Sequence, residues 1–120
     1  MGRVDTPWGY KDQVLITQVD VGGERGMLGI HRIVINGDEQ TSYAKHENQA
    51  EIIYLEKGEA TLRIEGKMEE LQKGEARVIR SGEKHQIQNI NDEVAEILEL
   101  SFPYKPEDVE KIEDPYDTEE

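Results

Sequence analysis

Short segments rich in Val, Ile and Tyr alternate with glycine-containing turns over most of this chain, and this alternation restricts the fold more than any other feature of the sequence. β-branched and aromatic residues favour strands, and short strands separated by regular turns are typical of sandwiches and barrels. The sequence therefore predicts an all-β sandwich or barrel. The strand segments are "GMLGIHRIVING" (26–37), "AEIIYLEKG" (50–58), "EATLRIEGKMEEL" (59–71), "EARVIRSG" (75–82), "HQIQNI" (85–90) and "EVAEILELSF" (93–102).

Two segments are open to a helical interpretation. The spacing of "EVAEILEL" alone fits a helix, but the segment is short and the strands around it favour a strand. In "KPEDVEKI" near the C-terminus, a proline suits the first turn of a helix and acidic residues suit its N-terminal end. We expect the acidic C-terminal segment to be helical or irregular.

The length of the chain, 120 residues, allows one domain with one hydrophobic core. We predict a single domain over residues 1–120. The central part of this domain covers about 10–103. It is preceded by an N-terminal arm (1–9) and followed by the acidic segment (104–120).

The formal net charge of −13 restricts the partners of the protein. Residues 107–120 supply about half of this charge, with eight acidic residues and one lysine, and we interpret them as a solvated terminal segment. A chain this acidic repels phosphate backbones, so we expect no nucleic-acid partner. No run approaches the ~20 apolar residues of a membrane-spanning helix, and the N-terminus lacks the apolar stretch of a signal peptide. We expect no membrane partner and a cytoplasmic protein.

The stretch "AKHENQAE" (44–51) poses the main functional question. His46 and Glu51 are either half of a metal site or part of a polar loop between strands. The chain contains no cysteine, so any metal must be held by histidine, carboxylate or water. Ala44 occupies the position two residues before His46, where a metal-binding strand often places another ligand.

The order of glycines, histidines and the glutamate resembles the two-part motif of the cupin family, G-x5-H-x-H-x3,4-E-x6-G and G-x5-P-x-G-x2-H-x3-N. The second part matches closely, with Arg80 in place of proline. In the first part Ala44 replaces the first histidine, and the spacing from Gly37 is one residue longer. The matching residues are His46, Glu51 and Gly58 in the first part, and Gly74, Gly82, His85 and Asn89 in the second. The resemblance implies a double-stranded β-helix, that is, a jelly-roll barrel.

The motif has a simple physical meaning in such a barrel. Ala44 and His46 face the same way because side chains alternate along a strand, and Glu51 and His85 come from two further strands. Their side chains can converge inside a barrel that holds one small ligand. Two imidazoles and a carboxylate suit Zn, Fe, Mn or Ni as divalent ions. The alternative is that His46, Glu51 and His85 are hydrogen-bonded polar residues without a metal. We interpret His31, which lies outside the motif, as a structural histidine with satisfied hydrogen bonds.

The two ends of the chain narrow the resemblance. "TPWGYKDQVL" and "YKPEDVEKIEDPY" (104–116) are similar to the opening and closing segments of cupin domains related to mannose-6-phosphate isomerase. That resemblance implies a divalent metal, a sugar-phosphate substrate, isomerase or epimerase chemistry and a homodimer. The chain departs from the catalytic family where "SYAKHENQAEI" lacks the first histidine, a glutamine and an arginine.

Two functions follow from these observations. The first is a metal-dependent enzyme, either an isomerase or epimerase acting on sugar derivatives or an oxygenase, that binds a small molecule of the sugar or carboxylate class. The alternative is a metal-free cupin without catalytic activity that serves as a ligand-binding or interaction module. The first predicts stoichiometric bound metal and an activity that is lost on His85→Ala. The alternative predicts a metal-free protein whose fold survives that change.

Overall fold

The computed structural model describes residues 2–116, and every helix or strand in that range is a β-strand. The strands form two antiparallel sheets, with the orders β1-β2-β3-β10-β5-β8 and β11-β4-β9-β6-β7. The all-β prediction is confirmed. Because this range contains no helix, it contains none that is long and apolar enough to cross a membrane. The strands are β1 (Arg3–Thr6), β2 (Gly9–Val21), β3 (Glu24–Ile35), β4 (Tyr43–Lys45), β5 (Ala50–Lys57), β6 (Ala60–Ile64), β7 (Lys67–Leu71), β8 (Ala76–Ile79), β9 (His85–Gln88), β10 (Ala95–Phe102) and β11 (Glu110–Glu113).

The two sheets enclose a core of aliphatic side chains that come from alternate strand positions. In β10, Ala95 and Ile97 are fully buried, whereas Glu96 and Leu98 are partly exposed. This is the period of two expected of a strand with one buried face. Burial of one isoleucine side chain stabilises the fold by about 2 kcal/mol. The core consists of Ile33, Ile35, Ile53, Leu55, Ala60, Leu62, Ile64, Leu71, Ile79, Ile87, Ala95 and Ile97, with Trp8 packed against it.

The segment with ambiguous spacing, 93–102, contains a central strand. β10 lies between β3 and β5, with Ala95 opposite Ile35 and Ile97 opposite Leu55. Pairing on both edges satisfies its backbone groups, so the strand interpretation is confirmed.

The inward-facing positions become polar towards one end of the barrel. Glu99 of β10 lies opposite His31 of β3, and Ser101 of β10 lies opposite Glu51 of β5. All four residues are buried. The fold therefore places a band of polar side chains above the aliphatic core, and the candidate site lies in this band.

Two glycines of the motif are required by the turns that they form. Gly58 has φ of +84°, and a Cβ built there would lie 2.6 Å from the carbonyl oxygen of Val94. Gly82 has φ of +85° in the turn that leads into β9. Any other residue would be strained at these angles, as the sequence predicts.

The C-terminal segment does not form the short helix that its sequence allows. A turn at Pro106 and Glu107 is followed by β11, which pairs with β4 so that Lys111 lies opposite Ala44. The edge of β4 offers unpaired backbone groups, and pairing with them is more favourable than a helix too short to be stable alone. Residues 117–120 lie outside the described range.

The interpretation of the acidic segment as solvated is correct only in part. The side chains of β11 are exposed, but other residues of the segment bind the barrel. The carboxylate of Asp108 accepts hydrogen bonds from the backbone N–H groups of Glu47 (3.1 Å) and Asn48 (2.7 Å). The hydroxyl of Tyr116 accepts one from the N–H of Gln40 at 3.0 Å. The segment is thereby held across the end of the barrel that carries the polar band.

Candidate metal centre

Three elements bring the predicted ligands together. His46 directly follows β4, Glu51 lies in β5, and His85 is the first residue of β9. One ligand atom from each residue lies within 4.8 Å of the other two. Nε2 of His46 is 3.2 Å from Oε2 of Glu51, and Nε2 of His85 is 3.1 Å from Oε1. The convergence that the sequence predicts is present in the structure.

Backbone carbonyl groups orient both imidazole rings. Nδ1 of His46 lies 2.6 Å from the carbonyl oxygen of Asp108, and Nδ1 of His85 lies 2.9 Å from that of Glu83. A carbonyl oxygen accepts only, so Nδ1 carries the proton in each ring, and Nε2 points to the centre of the site. Metal-ligating histidines characteristically donate their other N–H group in this way.

The carboxylate of Glu51 is 3% exposed and has four polar neighbours. Besides the two imidazoles, the amide of Gln49 donates a hydrogen bond to it at 3.0 Å, and the hydroxyl of Ser101 donates a longer one at 3.4 Å. A buried carboxylate is stable only when it is paired and hydrogen-bonded, and this one is both.

The cluster shifts the pKa values of its own members. Burial opposes the charged form of Glu51, but the hydrogen bonds and charges of His46 and His85 outweigh it and hold its pKa far below the usual range. Burial also works against protonation of His46, yet the hydrogen bond and charge of Glu51 raise its pKa to about 9. The pKa of His85 is raised against burial for the same reason. A cation must displace these protons in order to bind.

Ala44 faces the site, as the strand alternation predicts, and creates space there. It lies opposite His85 in the pairing of β4 with β9. Its methyl group lines a cavity of about 140 Å³, which we call the inner cavity. The other residues around the inner cavity are Lys11, Ile33, Thr41, Ser42, His46, His85, Ile87, Glu99 and Val109.

Glu99 and Lys11 are functional candidates that the motif does not contain. Nζ of Lys11 lies 3.6 Å from Oε1 of Glu99. Burial and the negative charge of Glu51 raise the pKa of Glu99 to about 7, against the opposing charge of Lys11. A sequence signal for Glu99 exists, because it is a charged residue at a position of β10 that alternation assigns to the core.

The C-terminal segment forms one wall of the site. A second cavity of about 170 Å³, the outer cavity, is lined by Tyr104, Pro106 and Val109 of this segment. It shares Lys11 and Glu99 with the inner cavity. The remaining lining residues are His46, Gln49, Glu51 and Ser101. Both cavities adjoin the candidate ligands, because His46 lines each of them.

Tyr43, Lys45 and Arg80 do not line either of these cavities. Tyr43 points to the opposite side of β4, with the guanidinium of Arg63 3.9 Å from its ring centroid. Nζ of Lys45 pairs with Glu47 at 3.1 Å, and Arg80 is exposed. Lys11 is the cation that lines both cavities.

The donor set fits a divalent cation. Two oriented Nε2 atoms and one carboxylate converge beside a cavity, and no lysine or arginine contacts these ligand atoms among residues 2–116. Imidazole nitrogen and carboxylate oxygen suit Zn²⁺, Fe²⁺, Mn²⁺ and Ni²⁺.

Solved structures of other proteins have the same fold. A sugar phosphate isomerase of the cupin superfamily from Silicibacter pomeroyi superposes with a TM-score of 0.61 at 18% identity, over 66% of this chain and 52% of its own. KdgF from a Halomonas species gives 0.74 at 18% identity, over 88% of this chain and 89% of its own. Oxalate decarboxylase of Lactobacillus farciminis superposes with a TM-score of 0.72 at 18% identity, over 92% of this chain and 33% of its own. Proteins with such different names share a fold and not a function.

The lengths and the sequence comparisons complete these findings. This chain spans about half the length of the Silicibacter protein and nearly nine tenths of KdgF. No protein with a curated description matches the sequence significantly. The family model for the cupin domain matches residues 31–101, which include His46, Glu51 and His85. Since this match covers more than half of the chain, and the all-β double-sheet fold agrees with it, the protein belongs to the cupin family.

Proposed function

We propose that this cupin is a metal-dependent enzyme that acts on a small, sugar-derived carbonyl compound. His46, Glu51 and His85 would hold the cation, which we infer to be Zn²⁺, Fe²⁺, Mn²⁺ or Ni²⁺. The observation that carries the proposal is the convergence of three ligand atoms within 4.8 Å beside cavities that Glu99 also lines.

The replacement of a fourth ligand by Ala44 is consistent with this proposal. Three protein ligands leave coordination positions for water and for oxygen atoms of the substrate, as in other catalytic metal sites. The small side chain of Ala44 leaves the inner cavity beside these positions.

The residues around the site support a proton transfer between adjacent carbon atoms. A bound divalent cation would act as a Lewis acid that polarises a carbonyl group. Glu99, with its pKa raised to about 7, is suited to take up a proton and to return it near neutral pH. Lys11 holds the carboxylate of Glu99 and adds one positive charge for an oxyanion or a carboxylate of the substrate.

The size and charge of the site indicate a small substrate. The inner and outer cavities measure about 140 and 170 Å³, and Lys11 is the one lysine or arginine that lines them. The likeness to a protein named as a sugar phosphate isomerase supports a sugar derivative. We infer a monosaccharide or sugar acid with at most one anionic group near Lys11.

The test combines metal analysis with hydrogen exchange. The purified protein is offered Zn²⁺, Fe²⁺, Mn²⁺ and Ni²⁺ separately, and bound metal is measured by elemental analysis. Exchange of the hydrogen on the carbon next to the carbonyl group, C2 of aldoses and uronates and C1 of ketoses, is then followed by NMR in D₂O for these sugars and their phosphates. We expect the protein to bind about one equivalent of metal, and we expect hydrogen exchange on the sugar only when the metal is bound. Failure to bind any of the four metals would overturn the proposal.

One observation favours the metal-free alternative. Glu51 accepts hydrogen bonds from both imidazoles, so the three side chains form a satisfied cluster without a cation. In that case the protein binds its ligand without catalysis. Its affinity for the ligand and its thermal stability then do not change when a chelator is added.

We also propose a homodimer that forms through the outer face of the six-stranded sheet. An apolar groove of about 310 Å³ crosses this face. Ile52 and Val78 are 39% and 52% exposed there, and a second copy of the chain would cover them. The groove is lined by Val21, Leu28, Ala50, Glu51, Ile52, Val78, Leu100 and Phe102.

A further inference from the structure

Gln49 links the candidate metal centre to the C-terminal segment. It lies directly before β5 and two residues before Glu51, so the two side chains point to the same side of the chain. Gln49 is 4% exposed and lines the outer cavity. Its amide nitrogen donates a hydrogen bond to Oε2 of Glu51 at 3.0 Å, and its amide oxygen accepts one from the backbone N–H of Lys105 at 2.7 Å. We call these two hydrogen bonds the Gln49 bridge.

Both ends of the Gln49 bridge have a fixed chemical sense. A backbone N–H group only donates, and the carboxylate of Glu51, which its low pKa keeps ionised at neutral pH, only accepts. The side chain between them must therefore offer an acceptor to Lys105 and a donor to Glu51, and a primary amide does both. An apolar side chain at this position would leave the N–H of Lys105 without its acceptor.

The contacts of Glu51 are divided unequally between its two oxygen atoms. Among the described residues, Oε2 is contacted by Gln49, His46 and the hydroxyl of Ser101, whereas Oε1 is contacted by His85. When a cation takes the place of the imidazole protons, the amide and the hydroxyl are the donors that still hold Oε2. The hydrogen bond from Gln49 is the shorter of the two, 3.0 Å against 3.4 Å, so the amide fixes the rotation of the carboxylate more firmly.

The C-terminal segment thereby acts on two of the three candidate ligands. The carbonyl group of Asp108 accepts a hydrogen bond from Nδ1 of His46 directly, and the N–H of Lys105 reaches Glu51 through Gln49. The remaining ligand has its orienting carbonyl group in the residues just before its own strand. Release of the segment would therefore free His46 and Glu51 together.

We propose that Gln49 is a positioning residue that couples docking of the C-terminal segment to the orientation of Glu51. Held through Oε2, the carboxylate presents Oε1 to a cation. The effect on metal binding rests on the proposed function, but the Gln49 bridge itself requires no metal. The coupling is reciprocal, so a change at Glu51 also affects how firmly the segment is held.

The first experiment uses the full chain with a chelator present and follows the exchange of single amide hydrogens by NMR. Gln49→Met keeps a side chain of similar length and removes both hydrogen bonds of the bridge. We expect it to speed exchange of the Lys105 N–H by roughly 5-fold, as the loss of one hydrogen bond does. The N–H of Asn48, which the carboxylate of Asp108 holds, should exchange as in the wild type. Unchanged exchange at Lys105, or an equal increase at both amides, would overturn the proposal.

Glu51→Ala tests whether an effect passes from one end of the Gln49 bridge to the other. Glu51 and Lys105 bind opposite ends of the same amide group. We expect Glu51→Ala to speed exchange of the Lys105 N–H, and we expect this increase to disappear when Gln49→Met is already present. An increase of the same size in both backgrounds would assign the coupling to another path and overturn the proposal. If Glu51→Ala does not fold, the exchange measured in Gln49→Met decides.

The second experiment measures the affinity for Zn²⁺, Fe²⁺, Mn²⁺ and Ni²⁺ by calorimetry. Gln49→Met should weaken binding of the metals that the wild type takes up by roughly 10- to 100-fold, as the loss of an outer-shell partner does. Gln86→Met is the matched control, because Gln86 is 3% exposed and its amide also makes two hydrogen bonds. It lies on the opposite face of β9 from His85. Both changes should lower the melting temperature, but only Gln49→Met should lower the metal affinity.

The outcomes separate this inference from the proposed function. A protein that binds none of the four metals but shows the selective effect at Lys105 would overturn the proposed function and support the coupling. Metal binding that Gln49→Met leaves unchanged would overturn the positioning role, while the proposed function stands. An equal loss of affinity in Gln49→Met and Gln86→Met would also overturn that role, because it would trace the loss to general destabilisation.

Discussion

Ala44 lies directly opposite His85 on the paired strands β4 and β9, and the side chains of both residues line the inner cavity beside the candidate metal ligands. The histidine of the cupin motif that this chain lacks is therefore missing from a position that still faces the centre. The backbone for a fourth ligand is in place, and only the side chain is absent.

Ala44→His should restore a four-ligand site. The inner cavity provides space for the imidazole. We expect the affinity for Zn²⁺ or Mn²⁺, measured by calorimetry, to rise by at least the roughly 10-fold that an outer-shell partner of a metal is worth. Ser42→His is the control, because Ser42 lines the same cavity two residues earlier. An equal gain in metal affinity in both variants would show that an added histidine raises the affinity wherever it lies in the cavity, and that position 44 is not special.

Glu51→Gln should lower the pKa of His46 and abolish metal binding. The pKa of about 9 depends on the hydrogen bond and charge of Glu51, so without them burial should lower it. NMR titration of the ring protons measures this. Glu47→Gln, which changes an exposed glutamate next to His46, should leave the pKa in place. A raised pKa that persists in Glu51→Gln would contradict the assigned cause.

Metal affinity of the wild-type protein should increase with pH up to about 9. The folded metal-free protein holds a proton on His46 up to that pH, whereas an ordinary histidine loses it near 6.5. Each bound cation should therefore release at least one proton between these values. Calorimetry in buffers of different ionisation enthalpy counts the protons. A metal affinity that is constant from pH 6.5 to pH 9 would exclude a protonated His46 in this range.

The same pKa shift predicts how the stability of the metal-free protein depends on pH. A raised pKa means that the folded state binds the proton more tightly than the unfolded state. The pairing of His46 with Glu51 therefore contributes its full stabilisation below about 6.5, and loses it as the pH rises through about 9. Denaturant unfolding with a chelator present measures this, and Glu51→Gln should lack this contribution.

Glu99→Gln should abolish hydrogen exchange on the substrate while the protein still binds metal. Glu99 is the proposed acid–base residue but not a proposed ligand. The pKa of Glu99 is raised to about 7, so ionisation of this residue destabilises the folded protein increasingly as the pH rises from 4.5 through 7. The Glu99→Gln variant should lack this pH-dependent loss of stability. Glu96→Gln, on the outward face of the same strand, is the control. Loss of metal in Glu99→Gln would instead make Glu99 part of the metal site.

Asp108→Ala should weaken metal binding by roughly 10-fold, because the carboxylate holds the segment whose carbonyl group orients His46. The change also removes two hydrogen bonds to backbone N–H groups at 3.1 and 2.7 Å, so it should lower the free energy of unfolding. Glu107→Ala, an exposed neighbour, should have little effect on either quantity. Unchanged affinity in Asp108→Ala would show that the segment does not orient the ligand.

Ile52→Glu should produce a monomer if the apolar groove is the dimer interface. A charge buried in an apolar interface is costly, and the chain is already strongly acidic. Light scattering coupled to size exclusion measures the mass. Met68→Glu is the control, since Met68 is 55% exposed on β7 of the other sheet. A wild-type protein that is monomeric at all concentrations tested would refute the dimer directly.

Local periodicity and turn chemistry made most of the strands predictable. Alternation placed Ala95 and Ile97 inside, and the positive φ of Gly58 and Gly82 follows from turns that only glycine fits well. The residues His46, Glu51 and His85 were found because their spacing resembles a family motif. The short helix in the C-terminal segment was a wrong option, because the pairing of β11 with β4 is a contact between residues more than sixty positions apart.

Lys11 and Glu99 show what spacing did not reveal. They lie 88 positions apart in the sequence and meet at 3.6 Å only because β2 and β10 both flank β3. The sequence-based expectation that the hydrogen bonds of His31 are satisfied is wrong for Nδ1, which is buried without a partner among residues 2–116.

The sequence by itself determined most of the strands between residues 26 and 102 and the types of donor available for a metal, because these depend on neighbours along the chain. The tertiary structure decided which donors meet and which carboxyl group has its pKa raised by burial. These properties depend on distances and on the exclusion of water, which exist only once the two sheets have closed around the core.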